Sequence, residues 1–247
     1  MNSTVLAFII STLAGLSTLL GSFLIFIRKE SNSLLLSSLA FAAGVMFCVS
    51  FLDLLPEAMH LFHTTFYFVP SILLTLISFS FGVVVSMFLD KKLPDFNNNS
   101  LYKVGIISMF AIILHNIPEG IATFLTTREN TTLGFSLGIA IALHNIPEGI
   151  SISIPIYYAT KKRKLSFFYT FLSGISEPFG ALLAFFFLKN IVNDLFMGIL
   201  YAFIAGIMIQ ISIYELLPTS FSYQKKKRTI LFFIIGFFFM YLSHILL

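Results

Sequence analysis

The heptapeptide HNIPEGI stands at His115–Ile121 and returns unchanged at His144–Ile150. Each copy lies in the middle of a long apolar run, at about 102–125 and about 132–159. An α-helix needs about 20 apolar residues to cross a bilayer, and both runs reach that length. The repeat therefore predicts two neighbouring membrane-spanning helices that carry the same polar motif.

Six further apolar runs divide the rest of the chain, and we number all eight predicted helices α1 to α8 in chain order. Their approximate bounds are 4–27, 34–59, 67–89, 102–125, 132–159, 166–188, 194–219 and 229–247. Hydrophobic residues make up 57% of the chain and charged residues 11%, against about one quarter charged in soluble domains. We predict an all-α integral membrane protein, with 1–247 forming a single transmembrane domain. This composition excludes a soluble catalytic domain.

Basic residues lie almost entirely on one side of this arrangement. Thirteen of the fifteen stand in or beside the loops α1–α2, α3–α4, α5–α6 and α7–α8, whereas Arg128 and Lys189 stand in alternate loops. Because cytoplasmic loops carry an excess of Lys and Arg, both termini are predicted to lie outside the cytoplasm. The same rule accounts for the net charge of +4, so we predict no nucleic-acid partner.

A second and subtler repeat links α2 and α7. AGVM at Ala43–Met46 is followed after six residues by DLLP at Asp53–Pro56, and AGIM at Ala205–Met208 is followed likewise by ELLP at Glu215–Pro218. Since α2 and α7 enter the membrane from opposite sides, the repeat is inverted. We predict that α1–α3 and α6–α8 form an inverted repeat around a central α4–α5 pair, a design that recurs in secondary transporters.

Six carboxylates interrupt the apolar runs, although a charge at the bilayer centre costs roughly 2.5–3.5 kcal/mol. They are Asp53, Glu57, Glu119, Glu148, Glu177 and Glu215. No Lys or Arg stands at membrane depth to pair with them, so a proton or an external cation must fill that role. Asp53, Glu57 and Glu215 lie toward helix ends, where either water at a pore mouth or a functional role accounts for them.

The two HNIPEGI copies place nitrogen ligands beside two of these carboxylates. His115 and Glu119 are four residues apart and therefore share one helix face, and His144 and Glu148 repeat this spacing in α5. Imidazole combined with carboxylate favours borderline divalent ions such as Zn²⁺, Fe²⁺, Mn²⁺, Co²⁺ or Cd²⁺ over Mg²⁺ and Ca²⁺. The spacing therefore predicts an intramembrane metal centre.

Further polar residues extend this centre. Asn116 and Asn145 follow the two histidines and supply amide oxygens, and Glu177 in α6 is placed to help hold a second ion. The lone Cys48 excludes a disulfide framework and a thiolate metal cluster. His60 and His63 are assigned to the α2–α3 loop, with weak metal capture and simple solvation both open, and His244 is interpreted as structural.

These motifs resemble those of the ZIP (Zrt/Irt-like protein) family of divalent metal transporters, specifically its bacterial zinc-uptake branch. The match covers the eight helices, the HNIPEG of α4 and of α5, and the glutamate of Ser176–Pro178 in α6. The resemblance implies a secondary transporter in the cell membrane that takes up divalent metal ions, Zn²⁺ first among them, into the cytoplasm. It also implies a homodimer in the lipid bilayer, without a cofactor, in which α1, α4, α5 and α6 move against α2, α3, α7 and α8.

The resemblance further implies that the metal centre consists of two neighbouring sites. One site comprises His115, Glu119 and Glu148, with Met46 and His144 near it. The other comprises Asn116, Asn145 and Glu177, with Glu119 and Glu148 bridging the two.

Two other functions remain open from the sequence. A passive metal channel would need the same ligands, and an intramembrane zinc-dependent hydrolase would use them to activate water. Against the hydrolase, no further serine or aspartate motif supplies a second catalytic constellation, and hydrolysis does not need an inverted repeat. We therefore predict that the protein is not an enzyme.

Overall fold

The computed structural model describes residues 2–27, 30–92, 100–187 and 193–246. Within these ranges, eight helices are long and apolar enough to cross a membrane. They are α1 Ser3–Ile27, α2 Asn32–His63, α3 Phe68–Lys92, α4 Ser100–Glu129, α5 Thr131–Thr160, α6 Arg163–Phe187, α7 Asp194–Phe221 and α8 Lys226–Ile245. The prediction of an all-α protein with eight such helices is confirmed. The basic loop residues Arg28, Lys29 and Lys189, and positions 93–99 of the α3–α4 loop, lie outside the described residues.

Most helices extend beyond the apolar runs that predicted them, because hydropathy marks only the part of a helix suited to hydrocarbon. The run ending at 59 belongs to a helix that continues to His63, and the run ending at 125 to one that continues to Glu129. The assignment of His60 and His63 to a loop is therefore wrong, since both lie in the last turns of α2. The α4–α5 connection is a single residue, Asn130, whose side chain caps the start of α5.

Each half of the weaker repeat contains a π-helical segment, at Ser50–Leu54 in α2 and at Ile211–Leu216 in α7. Each segment is followed at once by a Leu-Pro pair that opens the next α-helical stretch. Proline cannot donate to the carbonyl four residues earlier, so the hydrogen-bond ladder must change at these points. The two repeat copies thus share a local structure as well as a sequence.

Helix α6 is interrupted in its middle. Its two parts are Arg163–Gly174 and Ser176–Phe187, and Ile175 lies between them. Pro178 has no N–H to offer the carbonyl of Gly174, which accounts for the break at this place. As a result, Glu177 lies in the first turn of a new helical segment, where the helix dipole favours a negative charge.

Close backbone contacts at glycine divide the eight helices into two groups. A Cβ added at Gly149 of α5 would lie 1.9 Å from the carbonyl oxygen of Thr18 in α1, and one at Gly120 of α4 would lie 1.9 Å from that of Glu177 in α6. A Cβ added at Gly44 of α2 would lie 2.1 Å from the carbonyl oxygen of Phe233 in α8. Similar contacts link α3 with α7. We call α1, α4, α5 and α6 the α4–α5 group, and α2, α3, α7 and α8 the α2–α7 group.

The largest apolar cluster lies between these two groups. It contains Met46 of α2 and Met208 of α7 from one group, together with Val104 of α4 and Ile150 of α5 from the other. All four are buried. The close glycine contacts all fall within one group or the other, so buried side chains form much of this boundary.

Candidate metal centre

The four histidines and glutamates of the two HNIPEGI copies are all buried where α4 and α5 meet. His115 and Glu148 have no exposed surface, and Glu119 and His144 are 8% and 6% exposed. Both helices continue through the prolines of the motifs, so the four-residue spacing keeps each histidine one turn from its glutamate. The shared helix face predicted from the sequence is present in both copies.

The histidine of each motif copy lies close to the glutamate of the other copy. Glu119 Oε1 of α4 lies 2.8 Å from His144 Nε2 of α5 and 3.1 Å from His115 Nε2 of its own helix. His115 Nε2 in turn lies 3.6 Å from Glu148 Oε1. One oxygen of Glu119 thus stands between both imidazoles, and His115 faces carboxylates from both helices.

These distances suit a metal ion as well as they suit hydrogen bonds. Ligand atoms about 2.0–2.2 Å from a tetrahedral ion are separated from one another by roughly 3.4 Å. His115, Glu119 and His144 can offer ligand atoms that all lie within 4.8 Å of one another. The contact between His115 Nε2 and Glu119 also lacks the alignment of a hydrogen bond. The two contacts of Glu119 Oε1, at 2.8 and 3.1 Å, are slightly shorter than this separation, so a small widening of both would admit one ion.

Around this point lie buried oxygens with no hydrogen-bond donor among the described residues. Both carboxylate oxygens of Glu148 are in this state, as are Oε2 of Glu119 and Oε1 of Glu177. An unpartnered acceptor in the protein interior costs free energy, and more so when it carries charge. A cation bound among these oxygens would offset that cost.

The two asparagines are held by main-chain carbonyls of other helices. Asn116 Nδ2 donates to the carbonyl of Ser173 in α6 at 3.1 Å. Asn145 Nδ2 donates to the carbonyl of Ala14 in α1 at 3.0 Å and to Glu177 Oε2 at 2.9 Å. Both amide nitrogens are therefore occupied, and neither amide oxygen has a donor among the described residues. Both oxygens are therefore available as hard ligands.

Glu177 joins this second cluster through Asn145 and not through the histidines. It is fully buried, at the break in α6 described above. We call His115, His144, Glu119 and Glu148 the histidine-centred cluster, and Asn116, Asn145 and Glu177 the amide-centred cluster. Sequence analysis missed the carbonyls of Ala14 and Ser173 that fix the asparagines, and nothing in the sequence marks such main-chain acceptors.

The remaining candidates have other neighbours or are partly exposed. Met46 is fully buried in the large apolar cluster. Asp53 forms an ion pair with His244 of α8. This contact gives His244 a partner that suits the structural role predicted for it. Glu57 is exposed and Glu215 is half-buried. Of the six intramembrane carboxylates, the centre collects Glu119, Glu148 and Glu177.

Comparison with known proteins agrees with this geometry. The sequence profile described as "ZIP Zinc transporter" matches residues 95–244, which include both HNIPEGI copies and Glu177. The chain is 38% identical to the zinc transporter ZupT of Clostridium perfringens, an alignment covering 100% of this chain and 97% of that protein. It is 40% identical to ZupT of Chlorobaculum parvum, over 93% and 92% of the two chains. ZupT of Streptococcus mutans is 38% identical over 97% of each. The chain therefore belongs to the ZIP zinc transporter family.

Proposed function

We propose that this protein is a secondary transporter that carries Zn²⁺ across the cell membrane into the cytoplasm. The observation that carries the proposal is the buried group of two imidazoles and two carboxylates at the α4–α5 contact. A hydrated dication that enters this group exchanges water for imidazole and carboxylate ligands. The two positive charges of the ion balance the two glutamates, which have no Lys or Arg partner among the described residues of this cluster. The full-length relatives named as zinc transporters support the same substrate.

In this proposal the centre holds two ions. The histidine-centred cluster provides nitrogen and carboxylate ligands for the first ion, with Met46 as a soft ligand close by. The amide-centred cluster provides oxygen ligands for a second ion, and the two glutamates of the motifs bridge the sites. The ligands are His115, Glu119, His144, Glu148 and Met46 on the first side, and Asn116, Asn145 and Glu177 on the second.

The test is zinc uptake by purified protein in proteoliposomes. We expect uptake to saturate with zinc concentration and to be inhibited by excess Fe²⁺, Mn²⁺, Co²⁺ or Cd²⁺, because imidazole–carboxylate sites bind all of these ions. Excess Mg²⁺ is the matched control and should leave uptake unchanged. Flux that rises linearly without saturation would indicate a passive channel instead. Flux no higher than in empty liposomes would refute the proposal.

We also propose that both chain termini lie outside the cytoplasm. The basic residues at Lys161–Lys164 and Lys225–Arg228 support this orientation, since such residues mark cytoplasmic loops. The test uses single cysteines at Lys162, Lys226 and Arg128 in a chain whose Cys48 has been replaced. An impermeant thiol reagent applied to intact cells should label position 128 and spare 162 and 226. The reverse labelling pattern would show that the termini lie in the cytoplasm, and the proposed direction of transport would then be wrong.

We propose further that the protein is a homodimer. Residues 1–247 of each chain form one transmembrane domain. The support is α3, along which apolar side chains including Leu76, Phe81 and Val84 are exposed. A face of this kind suits either lipid or a second copy of the chain. Mass measurement of the purified protein in detergent distinguishes one chain per particle from two.

A further inference from the structure

A cleft of about 850 Å³ lies beside the metal centre's helices, at the end of the molecule that carries the basic loops. Its walls come from the last turns of α1, the first turns of α2 and α8, and one residue of α5. The lining combines apolar side chains with a small polar rim formed by Glu30, Ser31, Ser33, Ser37, Ser38 and Arg228. The site thus has an apolar interior and a polar mouth.

The cleft separates two closely packed helix pairs. On one side, α1 and α5 touch through Gly21, where an added Cβ would lie 2.2 Å from the carbonyl oxygen of Ile146. On the other side, α2 and α8 touch through Gly236, where an added Cβ would lie 2.1 Å from that of Phe41. Each pair is closely packed internally, and the cleft lies between the two pairs. Ile27 and Ile235 of the lining are 73% and 43% exposed, so the cleft opens sideways toward hydrocarbon.

The mouth of the cleft is electropositive. Arg228 Nε donates to Ser37 Oγ at 2.8 Å, and Lys225 Nζ donates to Ser33 Oγ at 3.2 Å, which brings two cations to the first turns of α2. The Arg228 guanidinium also lies 5.4 Å from the centre of the Phe232 ring. The N-termini of α2 and α8 both start at this mouth and add partial positive charge.

The single carboxylate of the lining does not cancel this charge. Glu30 forms an ion pair with Lys161 at the end of α5. The Lys161 ammonium holds the pKa of the Glu30 carboxyl below its usual range, so the carboxylate stays charged and paired. Two basic side chains therefore remain at the mouth for an external anion.

We propose that this cleft binds one anionic phospholipid of the leaflet next to the basic loops. The lipid phosphate lies against Arg228 and Lys225, and an acyl chain lies along Leu34, Phe41 and Ile235. A soluble phosphate would leave the apolar interior unfilled. A zwitterionic lipid would bring its own ammonium into the field of the two basic residues, so the charge favours an anionic headgroup.

The experiment is native mass spectrometry of the purified full-length protein in detergent, titrated with phosphatidylglycerol or with phosphatidylcholine. We expect phosphatidylglycerol to bind the wild-type protein more tightly and with one copy per chain. The double variant Lys225→Gln/Arg228→Gln should weaken its binding roughly 30-fold, from the loss of two lipid-facing charges. The matched control Lys226→Gln/Lys227→Gln removes the same charge from the two intervening residues, which belong neither to the lining nor to the hydrogen bonds with Ser33 and Ser37, and should change binding less than about twofold.

Two further measurements make the result decisive. Leu34→Trp fills the apolar interior without a change of charge and should weaken phosphatidylglycerol binding, whereas excess inorganic phosphate should not displace the lipid. Equal binding of the two wild-type lipids, or equal loss in both double variants, would overturn the proposal. The wild-type comparison needs no variant to fold, and none of these readouts involves zinc, so they are independent of the transport test.

Discussion

The α4–α5 group and the α2–α7 group differ in how deeply their intramembrane charged side chains are buried. In the first group, His115, His144, Glu119, Glu148 and Glu177 are all buried. In the second, Asp53, Glu57 and Glu215 are partly or fully exposed, and Asp53 already has His244 as its partner. Both groups are apolar helices joined by close glycine contacts, so packing alone does not explain the difference. A buried, unpaired carboxylate cluster is costly and needs a ligand, whereas carboxylates near water do not.

This difference assigns the two groups different tasks. The α4–α5 group holds its buried ligands by contacts among its own helices, such as Asn145 to Ala14 and Asn116 to Ser173. The α2–α7 group meets it mainly through an apolar boundary. We infer that an apolar boundary of this kind lets one group slide against the other while the buried ligands keep their contacts. Alternating access by such a movement is our interpretation of the arrangement.

The largest expected effect tests the charge difference itself. Glu119→Gln and Glu148→Gln should each lower zinc uptake in proteoliposomes by roughly 100-fold, because removing one partner of a buried charged cluster costs about 3 kcal/mol. Glu57→Gln removes the same charge from an exposed carboxylate of the α2–α7 group and should leave uptake close to wild type. Similar losses in all three variants would remove the distinction between the groups.

The next prediction tests whether the groups move. Lys103 Nζ of α4 lies 2.8 Å from Asp90 Oδ1 of α3, so this ion pair joins one group to the other. Cysteines at both positions, joined by a cleavable thiol-specific linker in a chain lacking Cys48, should stop uptake, and cleavage should restore it.

The matched cross-link joins two positions of a single group. Thr64 Oγ1 at the end of α2 donates to Asp194 Oδ2 at the start of α7 at 2.8 Å, and both helices belong to the α2–α7 group. The same linker at positions 64 and 194 should leave uptake unchanged. Full activity of the 90–103 cross-link would show that transport needs no movement between the groups.

A smaller effect should separate the two clusters within the α4–α5 group. His115→Ala deletes one nitrogen ligand of the first site and should weaken zinc binding roughly 30-fold, within the 10- to 100-fold range seen when a residue that supports a metal site is changed. It should also shift selectivity toward harder ions. Glu177→Gln keeps its size and should retain one zinc per chain while total stoichiometry falls. Metal counts on purified protein measure both, and loss of both ions in both variants would show one indivisible centre.

The smallest effect concerns packing inside the α4–α5 group. Gly149→Ala places a methyl group against the carbonyl of Thr18, which should force α1 and α5 apart and cost about 1–3 kcal/mol. Thermal unfolding in detergent micelles should show a lower midpoint. Ile139→Ala on the exposed side of α5 is the control and should shift the midpoint little. An unchanged midpoint for Gly149→Ala would mean that this close contact is not needed.

The sequence predicted the helices well because spanning helices depend on local properties. Run length and hydropathy located all eight helices. The predicted bounds were wrong only at helix ends, such as His63, where the helix continues beyond the apolar run. The π-helical segments were missed although the signal was present in Leu55-Pro56 and Leu217-Pro218. A proline shows that the hydrogen-bond ladder must change, but not how the chain accommodates the change.

The sequence by itself determined which polar residues share a helix face, since the four-residue spacing places His115 with Glu119 and His144 with Glu148 on one face each. Only the tertiary structure decided that Glu119 lies between both imidazoles and that Glu177 pairs with Asn145. The reason is that periodicity fixes positions along and around one helix axis, whereas the partner of a face depends on how close two backbones can come. Here that approach is set by glycines whose facing carbonyls belong to helices distant in the chain, as with Gly149 and Thr18 or Gly120 and Glu177.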